Sequence, residues 1–400
     1  MLCQFSFENF KSYRDETTFD FQAEALPEFQ DTLLTTPKGS DLLPVGVLYG
    51  PNGGGKTNLL QALCCLISLV VKPIKGLDKN REGMIVQHHI SRTPFLLDAE
   101  SKDNPTVFRV FFRIETREYQ YYLSLKEEIV YEALYWKNIG GKRTGVVFER
   151  DGQKIELGPS INKSTINREV NPKMPYLSFL AINYDLPVIN EVQGWFESCI
   201  ILNFGNPLSE LKIVFSPDGS IEKSTVHALN HIGIDLSGYR FDEEQQRLFT
   251  QRTIDGEVFE LPFSDESDGT KKMIVALPIL MIALQQGRMV VVDELDAKLH
   301  PKLLRYIIML FKNPAVNQHG AQLLFTSHDM STMKNTVFRR DEIWFAAEDD
   351  DHQSKIYSLS DIRQEDNTRI KNTAAYDKQY LEGRYGADPY FSNMTGGDWA

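Results

Sequence analysis

Gly50-Pro-Asn-Gly-Gly-Gly55-Lys56-Thr57 sets two glycines with four residues between them ahead of a lysine and a threonine, the spacing of a phosphate-binding loop. Glycines at such a place let the backbone curl so that several N–H groups and the positive end of a following helix face phosphate oxygens. Lys56 would neutralise the β and γ phosphates, and the Thr57 hydroxyl would ligate magnesium. The plain alternative, a glycine-rich turn, fits the surroundings less well: a short apolar run, Pro44 to Tyr49, enters the loop, and apolar residues at helical length, Asn58 to Val71, leave it. No Asn-Lys-x-Asp tetrapeptide follows, which favours ATP over GTP.

Two further segments end apolar strands in groups that could act on a phosphate. Met289-Val-Val-Val-Asp293-Glu294 delivers adjacent carboxylates, Asp293 as a magnesium partner and Glu294 as the base for an attacking water. Alone, such a pair reads as a solvated strand end; beside Gly50 to Thr57 the catalytic reading gains. Gln322-Leu-Leu-Phe-Thr-Ser327-His328-Asp329 repeats the arrangement, with His328 able to reach the γ-phosphate or the water. Ser267-Asp268-Gly269-Thr270 opens a helix, and its serine serves equally as an ordinary N-cap. His300 sits in the turn Asp296-Ala-Lys-Leu-His300-Pro301 and reads as a residue that caps or packs it.

The elements that must carry these groups follow from periodicity. The opening Cys3 to Tyr13 alternates like a strand, with a second short strand at Phe19 to Phe21. Val107 to Ile114, Tyr119 to Leu125, Ile129 to Trp136 and Val146 to Arg150 predict an antiparallel meander broken at Gly140-Gly141 and Asp151-Gly152. A polar connection, Pro159 to Pro175, leads to a stretch without clear period, Tyr176 to Pro262. Then come a helix over Thr270 to Gln286, a strand over Met289 to Val292, a helix over Pro301 to Phe311, strands at Gln322 to Thr326 and Glu342 to Phe345, and a last helix over Thr368 to Glu382 stopped by Gly383. This is an α/β layout with a largely parallel core sheet. The expected division is an N-terminal lobe, 1–160, an inserted mixed subdomain, 161–262, and a C-terminal lobe, 263–400. No heptad array is present, so long coiled-coil arms are not expected.

Bulk properties bound the function. The average apolar and charged fractions, 42% and 24%, describe a folded globular protein, and a net charge of −12 opposes adhesion of the whole surface to nucleic acid or anionic lipid. The apolar run Leu59 to Val71 is too short to cross a bilayer, Met1 to Phe10 lacks a signal-peptide pattern, and the four cysteines, Cys3, Cys64, Cys65 and Cys199, form neither zinc spacing nor a disulfide framework. The cytoplasm is the expected compartment.

In their order, the phosphate loop, the Ser-x-Gly helix start, the Asp293-Glu294 strand, the Leu295-Asp296 step and the Ser327-His328 strand resemble the ATP-binding-cassette fold. The opening Asn9-Phe10-Lys11-Ser12 is similar to that of its RecF and SMC-head branch. The resemblance implies nucleotide contacts from Lys11, Ser12, Asn52, Gly53, Gly54, Gly55, Lys56, Thr57, Asn58 and Asp296. It also implies that Ser267, Gly269 and Thr270 of one protomer cap the ATP held by another, with Asp268 standing where a glycine is common. Gln87 is the nearest candidate for the family's magnesium-contacting loop glutamine. The meander and the ending Tyr380-Leu-Glu-Gly-Arg-Tyr-Gly-Ala-Asp-Pro389 resemble stand-alone bacterial ATPases of abortive-infection, restriction-associated and overcoming-lysogenisation type. That resemblance implies an ATP-sandwiched homodimer controlling a nuclease or toxin encoded nearby. The competing expectation is a RecF-like repair clamp holding DNA with Lys142-Arg143 or Arg339-Arg340. A built-in nuclease using Glu348 to Asp351 and Asp361 has too little chain after His328, and that acid run reads as a solvated loop.

Overall fold

Nearly continuous apolar runs such as Met289-Val-Val-Val and Leu323-Leu-Phe suit strands buried on both faces, and the computed structural model places them at the centre of the molecule. It describes residues 1–75, 92–161, 165–202, 220–242, 244, 247–364 and 367–387. The N-terminal part carries β1 (Leu2–Glu8), β2 (Thr17–Asp20), β3 (Val45–Tyr49), α1 (Lys56–Lys75) and α2 (Ala99–Asp103). The meander follows as β4 (Thr106–Ile114), β5 (Arg117–Leu125), β6 (Ile129–Asn138), β7 (Gly145–Asp151) and β8 (Lys154–Leu157). Next come α3 (Tyr176–Asn183), α4 (Pro187–Ser198), β9 (Ile200–Leu202), α5 (Ser220–His231), β10 (Gly238–Asp242), β11 (Arg247–Ile254) and β12 (Glu257–Pro262). The last part holds α6 (Asp268–Gln286), β13 (Met289–Val292), α7 (Pro301–Lys312), β14 (Gln322–Thr326), β15 (Ile343–Glu348), β16 (Ser354–Ser358) and α8 (Tyr376–Leu381).

The core sheet runs β16-β15-β3-β14-β13-β9, parallel throughout except for the edge strand β16. Its side chains divide by parity. Val45, Val47, Tyr49, Val290, Val292, Leu323, Phe325, Ile343 and Phe345 pack with α6, α7 and α8, whereas Leu48, Val291, Leu324 and Trp344 face α1, α3, α4 and the second sheet. That second sheet is antiparallel, β2-β1-β4-β5-β6-β7-β8, so the expected meander is extended by the N-terminal hairpin. α1 lies in the core shared by the two sheets, with Leu59, Leu60, Leu63, Leu66, Ile67, Val70 and Val71 all buried. It runs longer than the apolar stretch in the sequence suggested, and by length and composition alone it could cross a membrane. Here its apolar circumference is accounted for by packing, as for a helix in the core of a large domain.

Long-range polar contacts lock the layers. Buried Gln322 accepts from Leu2 N (2.6 Å) and donates to Leu2 O (3.0 Å) and Leu43 O (3.1 Å), joining β1 to the core sheet. Glu132, fully buried, accepts from Tyr176 N (2.6 Å) and Leu177 N (2.9 Å) at the start of α3, with Arg150 at 3.6 Å. Gly46 permits the close approach of the sheets: a Cβ there would stand 2.6 Å from Phe19 Cζ, and the Phe19 ring is itself wedged against Trp344 at 4.8 Å between centroids. Gly46→Ala should therefore destabilise the protein by about 1–3 kcal/mol, the range for overpacked cores. Thermal unfolding checks this, and Phe19→Leu should return part of the loss.

The segment 161–262 divides between two layers. β9 is an edge strand of the parallel core sheet and α3 and α4 pack on α1, while β10, β11 and β12 form a separate three-stranded sheet whose neighbour α5 packs on α6. The final helix is also shorter than expected: α8 covers Tyr376–Leu381. Upstream, Arg363 and Arg369 form a bridge and the Ile370 carbonyl accepts from Arg340 Nη1, contacts that hold this stretch in an irregular path. Gly383 follows the helix with φ 77°, the left-handed stop that its position suggested.

Candidate functional site

The loop between β3 and α1 owes its course to its glycines. Gly55 adopts φ 101°, and a Cβ on it would lie 2.3 Å from Ser354 Oγ and 2.9 Å from Tyr13 Oη. Gly50, at φ 145°, would place a Cβ 2.1 Å from the Ala346 carbonyl oxygen. The loop is thus pressed beneath β15 and β16, and only glycine fits either position. Around it, Tyr13 donates to Gly55 O (3.2 Å), Asn58 Nδ2 donates to Ser12 Oγ (2.8 Å), and Ser354 Oγ donates to Ser12 Oγ (2.8 Å). Lys11 reaches Gln61 on α1, and Asn9 ties down the 95–106 segment through Phe95 N (2.9 Å) and Ser101 O (2.7 Å). Lys11 and Ser12 therefore brace the loop and its helix rather than line the cavity.

That cavity, of about 300 Å³, is lined by Pro51, Asn52, Gly53, Gly55, Lys56, Thr57, Asn58, Asp293, Glu294 and His328. Lys56 is buried and its ammonium donates to Gly50 O (2.9 Å) and Pro51 O (3.0 Å). Burial lowers its pKa, while the carboxylates of Asp293, Glu294 and Asp296 pull it back up. Anionic phosphate would add to that upward pull.

Parallel strands β13 and β14 bring their C-terminal ends to the same edge as the loop. Asp293 accepts from Thr57 Oγ1 at 2.9 Å and from Thr326 Oγ1 at 2.6 Å. Thr326 Oγ1 in turn accepts from Glu294 N at 2.7 Å. Thr57 and Asp293 are thus hard oxygen donors already in contact, a pair suited to magnesium. Glu294 is exposed to the cavity and holds φ 49°, a left-handed conformation costly for a residue with a side chain. Asp296 stays outside the cavity lining and accepts from His328 N (3.0 Å), so it fixes the segment that carries His328.

Ser267, Gly269 and Thr270 lie apart from these groups and contribute nothing to the described lining of this cavity. Ser267 caps α6, its Oγ accepting from Thr270 N at 3.2 Å, and both Ser267 and Asp268 are exposed. Asp268 pairs with Lys298 at 3.1 Å, beside the Asp296 turn. His300 caps α7, with Nδ1 accepting from Lys302 N at 3.2 Å. Gln87 and the His88-His89 pair fall outside the described residues.

The DNA-contact expectation for Arg339-Arg340 is corrected. Arg339 is fully buried against Asp341 (2.9 Å), and Arg340, 8% exposed, pairs with Glu28 at 2.7 Å. These are internal ties between the 24–28 loop and the core sheet, which a bare basic dipeptide does not distinguish from a surface patch. Lys142 and Arg143 are exposed. The run Glu348 to Asp351 forms the β15–β16 turn, where Asp349 pairs with Lys355 at 2.7 Å and His352 with Glu348 at 2.6 Å. Among the described residues, no group of three or more His, Cys, Asp or Glu side chains is gathered as a metal site.

Two positions that brace the site escaped sequence reasoning. Thr326 links Asp293 to the Glu294 backbone, and its only signal was its place at a strand end before Ser327-His328. Lys272, near the start of α6, donates to the Leu295 and Ala297 carbonyls, and a lysine in an amphipathic helix ordinarily reads as surface.

The family model described as "AAA domain, putative AbiEii toxin, Type IV TA system" matches residues 46–170 and 216–334, more than half of the chain. It spans the phosphate loop, Ser267 to Thr270, Asp293, Glu294 and His328. Among solved structures, the SMC head domain from Thermotoga maritima is similar at 14% identity and a TM-score of 0.42, over 89% of this chain and 98% of that one. No curated protein matches the sequence.

Proposed function

The chain belongs to this family of AAA-domain ATPases, and we propose that it binds ATP with magnesium and hydrolyses it to ADP and phosphate. One observation carries the reading: Lys56, Thr57, Asp293, Glu294 and His328 line a single cavity at the phosphate loop. Lys56 meets the β and γ phosphates when ATP draws its ammonium from the Gly50 and Pro51 carbonyls. Thr57 and Asp293 would hold magnesium, which would supply charge neutralisation for the transferring phosphoryl group. Glu294 accepts a proton from the attacking water as the water oxygen bonds to the γ phosphorus and the bond to the β–γ bridging oxygen breaks. His328, at the cavity wall, orients the water or a γ oxygen.

Ser267, Gly269 and Thr270 serve a second copy of the chain in this reading. Their exposed helix start offers N–H groups and a hydroxyl to the γ-phosphate of ATP held by that copy, with Asp296 at the same junction and Asp268 neutralised by Lys298. Light scattering should show mass doubling on addition of magnesium ATP to a hydrolysis-deficient protein, and Ser267→Arg should abolish it while each protomer still binds nucleotide. A monomer with and without nucleotide would remove the dimer and leave Ser267 as a helix cap.

The family description supports a proposal for the biological role. A type IV toxin–antitoxin context supports a cytoplasmic ATPase that works with the product of a neighbouring gene in anti-phage defence, its ATP state controlling an effector such as a nuclease or toxin. Expressing the chain with and without its neighbour, and scoring growth and phage plating, tests this. Arrest by the chain alone would assign the toxic activity to the ATPase itself, and no phenotype with or without the neighbour would remove the defence role.

A further inference from the structure

We infer that Lys272 is the positioning residue that holds the Glu294 turn for hydrolysis and connects it to the Ser267 end of α6. The inference rests on the ATPase reading above. The Lys272 ammonium lies in a protein interior, 3% exposed, and donates to three successive parts of one turn: Glu294 O at 3.3 Å, Leu295 O at 3.0 Å and Ala297 O at 2.7 Å. This turn contains two non-glycine residues in left-handed conformation, Glu294 at φ 49° and Lys298 at φ 61°. Such conformations persist where surrounding contacts over-determine them. From one side Thr326 does so, through Glu294 N and Leu295 N (3.1 Å to Thr326 O). From the other side the Lys272 ammonium does so through the three convergent carbonyls, alongside Asp268, which holds Lys298.

Keeping a lysine there has a cost, since burial pulls its pKa down to about 8. Lys272 also stands five residues after Ser267 on the same rigid helix, and Asp268 holds Lys298 of the same turn at 3.1 Å. The start of α6, which faces outward to a second protomer's nucleotide in the proposed dimer, is thereby attached to the carboxylate that acts on the protomer's own nucleotide. A shift of α6 moves Glu294 with it.

Steady-state kinetics and binding of a fluorescent ATP analogue, on Lys272→Met and Lys272→Gln in the full chain, test the inference. Lys272→Met should lower kcat by about 100-fold, the scale of an ångström-level misplacement, with KM and nucleotide Kd changed less than about twofold. Lys272→Gln, which retains an amide donor for the carbonyls, should recover part of that loss. Added to Glu294→Gln, Lys272→Met should lower turnover no further, because both act through one carboxylate. Wild-type kcat in Lys272→Met beside an inactive Glu294→Gln overturns the inference alone. Parallel loss of nucleotide binding, or misfolding of both Lys272 variants, assigns the lysine a purely structural role and overturns it too. Full turnover in Glu294→Gln overturns the ATPase reading on which it rests.

Discussion

Glu294→Gln should bind ATP as tightly as the unaltered protein and turn it over about 10²- to 10⁴-fold more slowly, the usual contribution of a positioned general base. The substitution preserves volume and leaves the backbone contacts of the turn in place, because Glu294 N still donates to Thr326 Oγ1 and the carbonyl still accepts from Lys272. What changes is the side chain, from a carboxylate to an amide that cannot take a proton from water. The phosphate loop, Thr57 and Asp293 are untouched, so the binding isotherm is the control. In the dimer reading the unhydrolysed ATP also holds the two protomers closed, and a stable species of doubled mass should accumulate with magnesium ATP. Phosphate release measured beside nucleotide binding checks both halves of the expectation.

Lys56→Ala should fail earlier, at binding. Its ammonium is buried and engaged with two loop carbonyls, Gly50 O and Pro51 O. Removing it deletes the charged partner of the β and γ phosphates and leaves those carbonyls without that donor, so the loop loses part of its shape as well as its charge. Hydrogen bonds to charged groups contribute roughly 1.5–3 kcal/mol, which corresponds to about a 10- to 100-fold weaker nucleotide Kd. Calorimetric titration with ATP is the measurement. The two variants separate the roles: one binds without turning over, the other binds about 10- to 100-fold more weakly. Hydrolysis at the unaltered rate in both would remove the site assignment.

The order of elements that matters for this chemistry is legible in the amino-acid sequence. A strand ending at Tyr49, a glycine loop and a helix from Lys56 carry local signals, because a phosphate loop is defined by its own backbone. The acid pair after Met289 to Val292 and the histidine after Gln322 to Thr326 are legible for a related reason, since parallel strands deliver their C-terminal residues to one edge. The residues that brace them are not. Thr326, Lys272, Tyr13 and Ser354 acquire their roles from partners 22 to 342 positions away in the chain, where no periodicity reaches. The same cause hides β9, a three-residue strand after α4 that is recognisable only by its pairing with β13. Arg339-Arg340 misleads in the opposite direction, since the carboxylate partner of Arg340, Glu28, is more than three hundred positions upstream.

The interlocking of the chain's two ends bears on how the protein is made. β1 is held by Gln322 across 320 positions, and Ser12 by Ser354 across 342. A ribosome adds about 5–20 residues per second, so the first strand waits on the order of tens of seconds for the partners that complete its environment. Until then the Leu2 end of β1 and the Ser12 turn lack the hydrogen-bond partners they have in the finished molecule. Fusing these contacts into a native fold is consequently a late, high-contact-order event, and chains cut short before Gln322 should be caught by chaperones or proteases instead of persisting as idle nucleotide-binding fragments.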